Sequence, residues 1–294
     1  MHKYMRAIGF SEYTSRDKIK NIITGCIMNP TTRVYTTNKE DIMLGEFCKD
    51  FAENVGITVC GEFDEESHFI YDYYYPYLRS YGISSTEDIS VERHAAKESY
   101  AGVCDDVKLG ITLIFYLQNM MDYVKVQTEE RLPMKGTSLT LSALSLSGSI
   151  MLPILKDENQ KNKIRKDSKN RSALVAKARQ GDEDALETLT MEDMDTYNVI
   201  SKRIHNEDVY SLVDTYFMPY GVECDQYSVL GEITACKTVP NYMTEEKLYI
   251  MSVVCNDVSF DVCINSKDLF GEPEVGRRFK GIIWLQGMIN FPEL

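Results

Sequence analysis

The apolar positions change period several times along the chain. A short apolar run at Met5–Phe10 reads as a strand, and Ser15-Arg16-Asp17 then opens a helix with Ile19, Ile22 and Ile23 on one stripe. Asn29-Pro30-Thr31-Thr32 ends that helix in a turn, before Val34-Tyr35-Thr36 and an amphipathic run through Leu44, Phe47 and Phe51. From residue 57 the pattern becomes that of strands: 57–60, 68–78, 89–92 and 111–117, with Asp64-Glu65-Glu66-Ser67 as a hairpin loop between the first two. Residues 137–150 continue it with Leu139, Leu141, Leu144 and Leu146, and Gly148 and Pro153 punctuate the end. Residues 1–155 therefore read as one α+β domain on a mainly antiparallel sheet.

The middle of the chain is different. Residues 156–171 carry a single aliphatic side chain, Ile164, and bury too little to offset the entropy of ordering, which predicts a solvated basic linker or a frayed charged helix. Residues 172–220 read as several helices in series. Ser172 would cap the first, Gly181-Asp182 would close it and cap the next, Thr190 would open another, and Asn206 a last one carrying Val209, Leu212, Val213 and Phe217.

After Gly221 short β-patterned runs return at 230–233, 248–255, 259–264 and 279–291. Asn256-Asp257 is a tight turn, and Phe260, Val262 and Ile264 alternate with Asp261, Cys263 and Asn265, as in a strand with one wet face. Gly276, Gly281 and Gly287 fall where strongly bent strands of a small barrel need a missing side chain. The segment 221–294 resembles an OB-fold, with a small β-sandwich as the alternative. The fold class expected for the whole chain is thus α+β: an antiparallel-sheet domain, helices, and a small C-terminal OB-like barrel.

Charge and composition narrow the partners. The 294 residues carry a net charge of -13, but 156–180 holds 9 basic against 3 acidic residues while 221–294 holds 6 against 11. An acidic surface repels phosphate backbones, so nucleic acid is a poor expectation and a protein partner the better one. The start lacks the apolar core of a secretion signal, and the most apolar run, 110–117, is too short to span a bilayer, which together predict a cytoplasmic protein with no membrane association. The eight cysteines form no Cys-x-x-Cys and read as reduced thiols, and the four histidines make no metal-ligand pair, so neither a metal nor a cofactor is expected.

Two constellations could carry chemistry. Glu92, His94 and Asp105, with Arg93, Lys97, Glu98 and Asp106 beside them, supply acid, base and cation types for an acid–base site, although the same residues suit a charged strand end and its loop. The tyrosines of 71–77 could form a stacking ladder through Tyr73 and Tyr75, or could simply fill a sheet, and Pro76 places that strand at an edge. In the last segment Tyr249, Arg278 and Trp284 are the candidates for holding a single strand. No hydrolase elbow, zinc-protease helix, phosphate loop or dinucleotide fingerprint occurs.

Four stretches taken together carry a further resemblance: Arg6-Ala7-Ile8-Gly9-Phe10-Ser11, the run 92–106 from Glu92 to Asp106, Leu113-Ile114-Phe115-Tyr116-Leu117-Gln118-Asn119, and Ile283-Trp284-Leu285-Gln286-Gly287. They are similar to a family of bacterial proteins of about 290 residues classed as a domain of unknown function, nearly end to end. The resemblance implies a bacterial cytoplasmic protein and assigns no catalytic residue. The expectation is a non-enzymatic binding or scaffold protein for a protein partner. The alternatives are an enzyme centred on Glu92, His94 and Asp105, and a weak single-strand binder.

Overall fold

The computed structural model describes residues 2–93, 99–106, 108–154, 158–203 and 209–292. The chain opens not on a strand but on a 3-10 turn, Lys3–Ile8, because Tyr4, Met5, Ala7 and Ile8 are buried at a spacing that a period-2 strand does not supply. Helix α1 (Arg16–Met28) begins as expected, with the Ser15 hydroxyl accepting the Lys18 N–H at 3.3 Å. A four-stranded antiparallel meander follows: β1 (Thr32–Thr37), β2 (Met43–Ala52), β3 (Val55–Phe63) and β4 (Phe69–Leu78), paired in that order. The amphipathic run through Leu44, Phe47 and Phe51 is β2. It is buried on both faces, so its apolar spacing loses the alternation that marks a half-buried strand.

Strands β5 (Ile89–Arg93), β6 (Tyr100–Asp106) and β7 (Ile111–Leu117) form a second meander, and helix α2 (Met120–Thr128) leads into β8 (Ser138–Met151). Helices α3 (Glu158–Arg179) and α4 (Glu183–Arg203) come next. The Asp182 side chain caps the latter by accepting the Ala185 N–H at 3.0 Å. Residues 190–193 do not start a new helix, since α4 runs through them, and the apolar positions after 208 divide between the short helix α5 (Val209–Leu212) and strand β9 (Tyr216–Pro219). The remaining strands are β10 (Gln226–Pro240), β11 (Lys247–Cys255), β12 (Val258–Asn265), β13 (Leu269–Phe270) and β14 (Arg278–Asn290). Asn256 and Asp257, at φ 48° and 64°, make the β11–β12 turn.

Five strands close a barrel. β10, β11 and β12 form an antiparallel meander, β12 runs parallel to β8, β8 pairs antiparallel with β14, and β14 returns antiparallel to β10. The fold is thus α+β with a closed barrel, and one barrel strand, β8, precedes α3 and α4 in the chain. Gly148 and Gly281 face each other across β8 and β14. A Cβ on either would fall 2.5 Å from the Phe279 ring, so their bareness lets that ring cross the barrel interior.

Two cores share the barrel wall. The first fills its interior with Leu139, Leu141, Val229, Val253, Phe260, Val262, Phe279 and Ile283, and extends to Leu113, Phe115 and α2. The second lies outside, where Leu144, Leu248, Ile250, Cys263 and Trp284 of the barrel meet the Lys3–Ile8 turn, α1 and the four-stranded sheet. The expected wet face of β12 is therefore dry: Cys263 and Asn265 are fully buried beside Phe260, Val262 and Ile264. Asn265 donates to the carbonyl of Arg6, Asn241 to that of Ile8 and the Cys263 thiol to that of Ala7, which satisfies the turn's carbonyls against the barrel.

The barrel needs β8, since 13 rungs of β14 and the parallel partner of β12 lie on that strand. An isolated fragment of 221–294 should therefore show no cooperative thermal transition by circular dichroism under conditions where the full chain does. A sharp, reversible transition in the fragment would mean that the five-stranded closure is dispensable.

Candidate functional site

A cleft flanked by exposed aromatic rings lies on the outer wall of the barrel. Its floor is the outward row of β8, β14 and β10, with Ser147 opposite Ile282, Ile282 opposite Ser228, and Ser149 opposite Lys280. Strand alternation puts these side chains outside because Phe279 and Ile283 of the same strand are committed to the interior. One wall is Tyr220, which follows β9. The other is the connection after β12, with Lys267, Asp268, Leu269 and Phe270. The cleft measures about 450 Å³. Phe270 is 81% exposed and Tyr220 45%, so two aromatic rings stand open to water on either side of a hydroxyl-lined floor.

The charges around it are held in place. Lys267 pairs with Glu246 at 3.0 Å and meets the Ser11 hydroxyl at 3.1 Å, and Arg6 makes a bidentate pair with Asp268 at 2.7 Å. Glu246 also accepts from Asn265, and these bonds together hold its carboxyl below the ordinary value against the opposing effect of burial. Lys280 sits 4.0 Å over the Tyr210 ring and donates to its hydroxyl. Among the described residues no carboxylate pairs with Lys280, which leaves its charge available to a ligand.

The residues singled out in the sequence lie elsewhere. Glu92 is exposed on β5 opposite Ala101, and Asp105 is exposed on β6, where it accepts the Thr112 hydroxyl. Four positions of one strand separate Ala101 from Asp105, roughly 13 Å at about 3.3 Å per residue, so the two carboxylates do not converge. His94 lies outside the described residues, as do Lys97 and Glu98. Asp106 is fully buried and closes the β6–β7 turn by accepting from Ser85 at 2.8 Å and from the Lys108 and Leu109 N–H groups. Tyr73 and Tyr75 point inward, the first donating to the Met120 sulfur at 3.6 Å and the second to the Gln118 carbonyl at 3.0 Å. Strand β4 is an edge of its sheet, as Pro76 suggested.

Trp284 is 4% exposed. Its ring stacks on Tyr4 at 5.1 Å and its N–H donates to Asp225 at 2.6 Å. Arg278, also buried, donates to the carbonyls of Leu152, Tyr210, Val213 and Asp214, tying the end of β8 to the segment before β9. Tyr249 is half-buried with Lys247 4.9 Å over its ring. The cleft residues Tyr220 and Phe270 were not singled out in the sequence. Their signals were the Ser145, Ser147, Ser149 alternation in β8 and an apolar pair, Leu269-Phe270, inside an otherwise polar crossing.

All eight cysteines are free. Burial pushes the thiols of Cys26, Cys48, Cys255 and Cys263 up to about 12 and that of Cys104 to about 11, which suppresses thiolate chemistry at these positions. Asp64, Glu66 and His68 bring ligand atoms within 4.8 Å of one another at the exposed β3–β4 hairpin, but Asp64 is already engaged by the His68 N–H at 2.7 Å and its ring at 3.4 Å. No helix among the described residues is long and apolar enough to cross a membrane.

A second buried carboxyl, besides Asp106, lies in the four-stranded sheet. Glu46 of β2 lies opposite Cys60 and accepts from the Cys48 thiol at 3.2 Å, while its second oxygen has no hydrogen-bond partner. Loss of hydration raises this carboxyl from the ordinary 4.5 to about 7, with the Cys48 bond and the Arg79 charge opposing the rise and Asp122 adding to it. The Tyr73 and Tyr75 phenols and the Cys60 thiol around it are pushed up by the same burial, so Glu46 is the group in this cluster that titrates near neutrality.

The model of the family described as "Domain of unknown function, E. rectale Gene description (DUF3881)" matches residues 5–287, and the chain belongs to that family. No curated protein and no solved structure matches it.

Glu46 makes stability depend on pH. A folded-state value above the unfolded one means that the folded chain binds the proton more tightly, so its contribution is present below about 4.5 and is lost as pH rises through about 7. The cost above that range is about 3 kcal/mol. Replacement by Gln keeps the volume and removes the charge, so Glu46→Gln should melt higher than the parent at pH 8 and near the parent at pH 4.5. A parent-to-variant difference that stays constant from pH 4.5 to 8, measured by calorimetry, would refute a buried ionisation.

Proposed function

We propose that this member of a family of unknown function is a binding protein for a protein partner, engaged through the barrel cleft between Tyr220 and Phe270. The observation that carries the reading is the cleft's composition: exposed rings on two sides, a serine floor and a Lys280 that pairs with no carboxylate among the described residues. Interface centres are enriched in aromatic anchors and rimmed by polar groups. Met218, Val222 and Leu152, exposed by 51%, 98% and 75%, belong to the segments that end beside the cleft and extend its apolar character. The complementary segment places an apolar side chain between the two rings and a carboxylate at Lys280.

We further infer that the barrel is a permuted OB barrel. In an OB barrel the first three strands form a meander, the third runs parallel to the fifth, and the fourth pairs with the first and fifth. Strands β10, β11, β12, β14 and β8 take these five places in turn, with β8, the last by pairing, coming first in the chain. OB barrels commonly use the face of their second and third strands for oligonucleotides. The corresponding β11–β12 face lies against the chain's own N-terminal turn and sheet. This favours a different surface, and with it a different class of partner.

The reading is tested by placing a photo-crosslinking phenylalanine analogue at position 270 and, as a control, at exposed Tyr81, in cells that make the protein. The expected result is a discrete protein adduct at 270, absent at 81 and lost when Lys280→Glu reverses the rim charge. An adduct indifferent to that reversal, none at all, or one to nucleic acid would overturn it.

A further inference from the structure

Where the four-stranded sheet meets the barrel, a second cleft of about 210 Å³ opens between the end of β4 and strands β10 and β11. Arg79 lies in its wall, half-buried, with its guanidinium 4.7 Å from the centre of the Tyr77 ring. No hydrogen bond or ion pair to a described residue engages that guanidinium. The other charges of the cleft are already spoken for. Lys237 pairs with Glu53 at 2.8 Å, and Asp261 accepts from the Ser80 hydroxyl at 2.5 Å and the Ser252 hydroxyl at 2.6 Å. Tyr81 donates its hydroxyl to Asn54 at 3.0 Å. Leu78, Ala235 and Ile250 supply an apolar lining, with exposed Ala235 opposite Ser252 on the outward face of β10.

We propose that this seam cleft binds a small aliphatic monocarboxylate, held by Arg79 and covered by Leu78 and Ile250. An arginine fixed by stacking on an aromatic ring keeps its N–H edge in the plane that a carboxylate meets with two parallel bonds. The charge balance selects one negative charge over two. No carboxylate among the described residues pairs directly with Arg79, while Asp261 stands in the same cleft and Asp50 and Glu46 act on Arg79 from behind. A phosphate dianion would meet these carboxylates with its second charge, whereas a carboxylate matches the single guanidinium. The apolar wall suits a short alkyl chain. This site is separate from the Tyr220–Phe270 cleft and stands whether or not that surface binds a protein.

Ala235→Cys places a reporter thiol on the outward, cleft-lining face of β10, and exposed Cys224 outside the cleft serves as the internal control. Alkylation of the folded full-length Ala235→Cys chain by N-ethylmaleimide, followed by site-resolved mass spectrometry of positions 235 and 224, is measured with butyrate, butyramide or inorganic phosphate, each at about 50 mM. A ligand with a dissociation constant of roughly half that concentration slows labelling about threefold. Butyrate should protect position 235 to that extent and leave Cys224 unchanged, butyramide should not protect, and adding Arg79→Gln should abolish the protection. If Arg79→Gln does not fold, Arg79→Lys, which keeps the charge but not the paired donors, should weaken protection. Equal protection by butyramide, none by butyrate, or protection by phosphate in place of butyrate would overturn the proposal.

Discussion

The position of β8 governs the architecture. This one strand is parallel to β12, antiparallel to β14 and buried on both sides, with Leu139, Leu141 and Ala143 in the barrel interior and Leu144 in the second core. Without it β12 and β14 would present two unpaired edges, each a row of backbone donors and acceptors that must find partners or water. Because β8 comes from the part of the chain before α3 and α4, the barrel closes only after a connection of more than a hundred residues has been looped back. The entropy of closing a long loop grows only slowly with its length, so the insertion of α3 and α4 between β8 and β10 costs little in stability.

The same closure joins the four-stranded sheet to the barrel. Gln118, just after β7, donates to the Leu78 carbonyl at 3.0 Å and to the Gln286 side-chain oxygen at 2.7 Å, and Gln286 of β14 donates to the Pro76 carbonyl at 2.8 Å. Edge strand β4 thereby spends its free backbone groups on two buried glutamines rather than on another strand. A fully satisfied buried network of this kind fixes one relative placement of the packed elements, since any slip would strand its donors in a dry interior. The outer β11–β12 face is consequently covered, and two accessible clefts lie at the barrel's β8–β14–β10 wall and at the rim of the seam.

Much of this was legible in the sequence where a residue's role is local. The Ser15 cap, the Asn256-Asp257 turn and the acidic β3–β4 loop depend on near neighbours and read directly. What failed did so because tertiary burial overrode the local pattern. Strand β2, covered on both faces, read only as an amphipathic run, the Lys3–Ile8 turn imitated a strand, and β12 showed alternation although Cys263 and Asn265 are fully buried. The candidate residues followed the same division. Trp284 and Arg278 looked like ligand-facing groups by type, and only the long-range partners Tyr4, Asp225 and the carbonyls before β9 show that packing consumes them. The aromatic cleft escaped notice because its walls, 220 and 267–270, are distant in sequence and joined only by strand pairing.

Glu46 and Arg79 connect the interior to the seam. Each acts on the other's ionisation: the arginine lowers the carboxyl against its burial, and the carboxylate adds to the negative field that raises the arginine. When Glu46 is protonated, part of the charge compensating Arg79 is withdrawn, and an anion meeting the guanidinium gains more. Linkage makes the effect reciprocal, so an anion held at Arg79 raises the carboxyl further and keeps it neutral to higher pH. A carboxyl with one unpartnered oxygen would otherwise be a pure cost to the fold. Placed behind the Arg79 guanidinium, it sets how strongly that guanidinium attracts an anion near neutral pH.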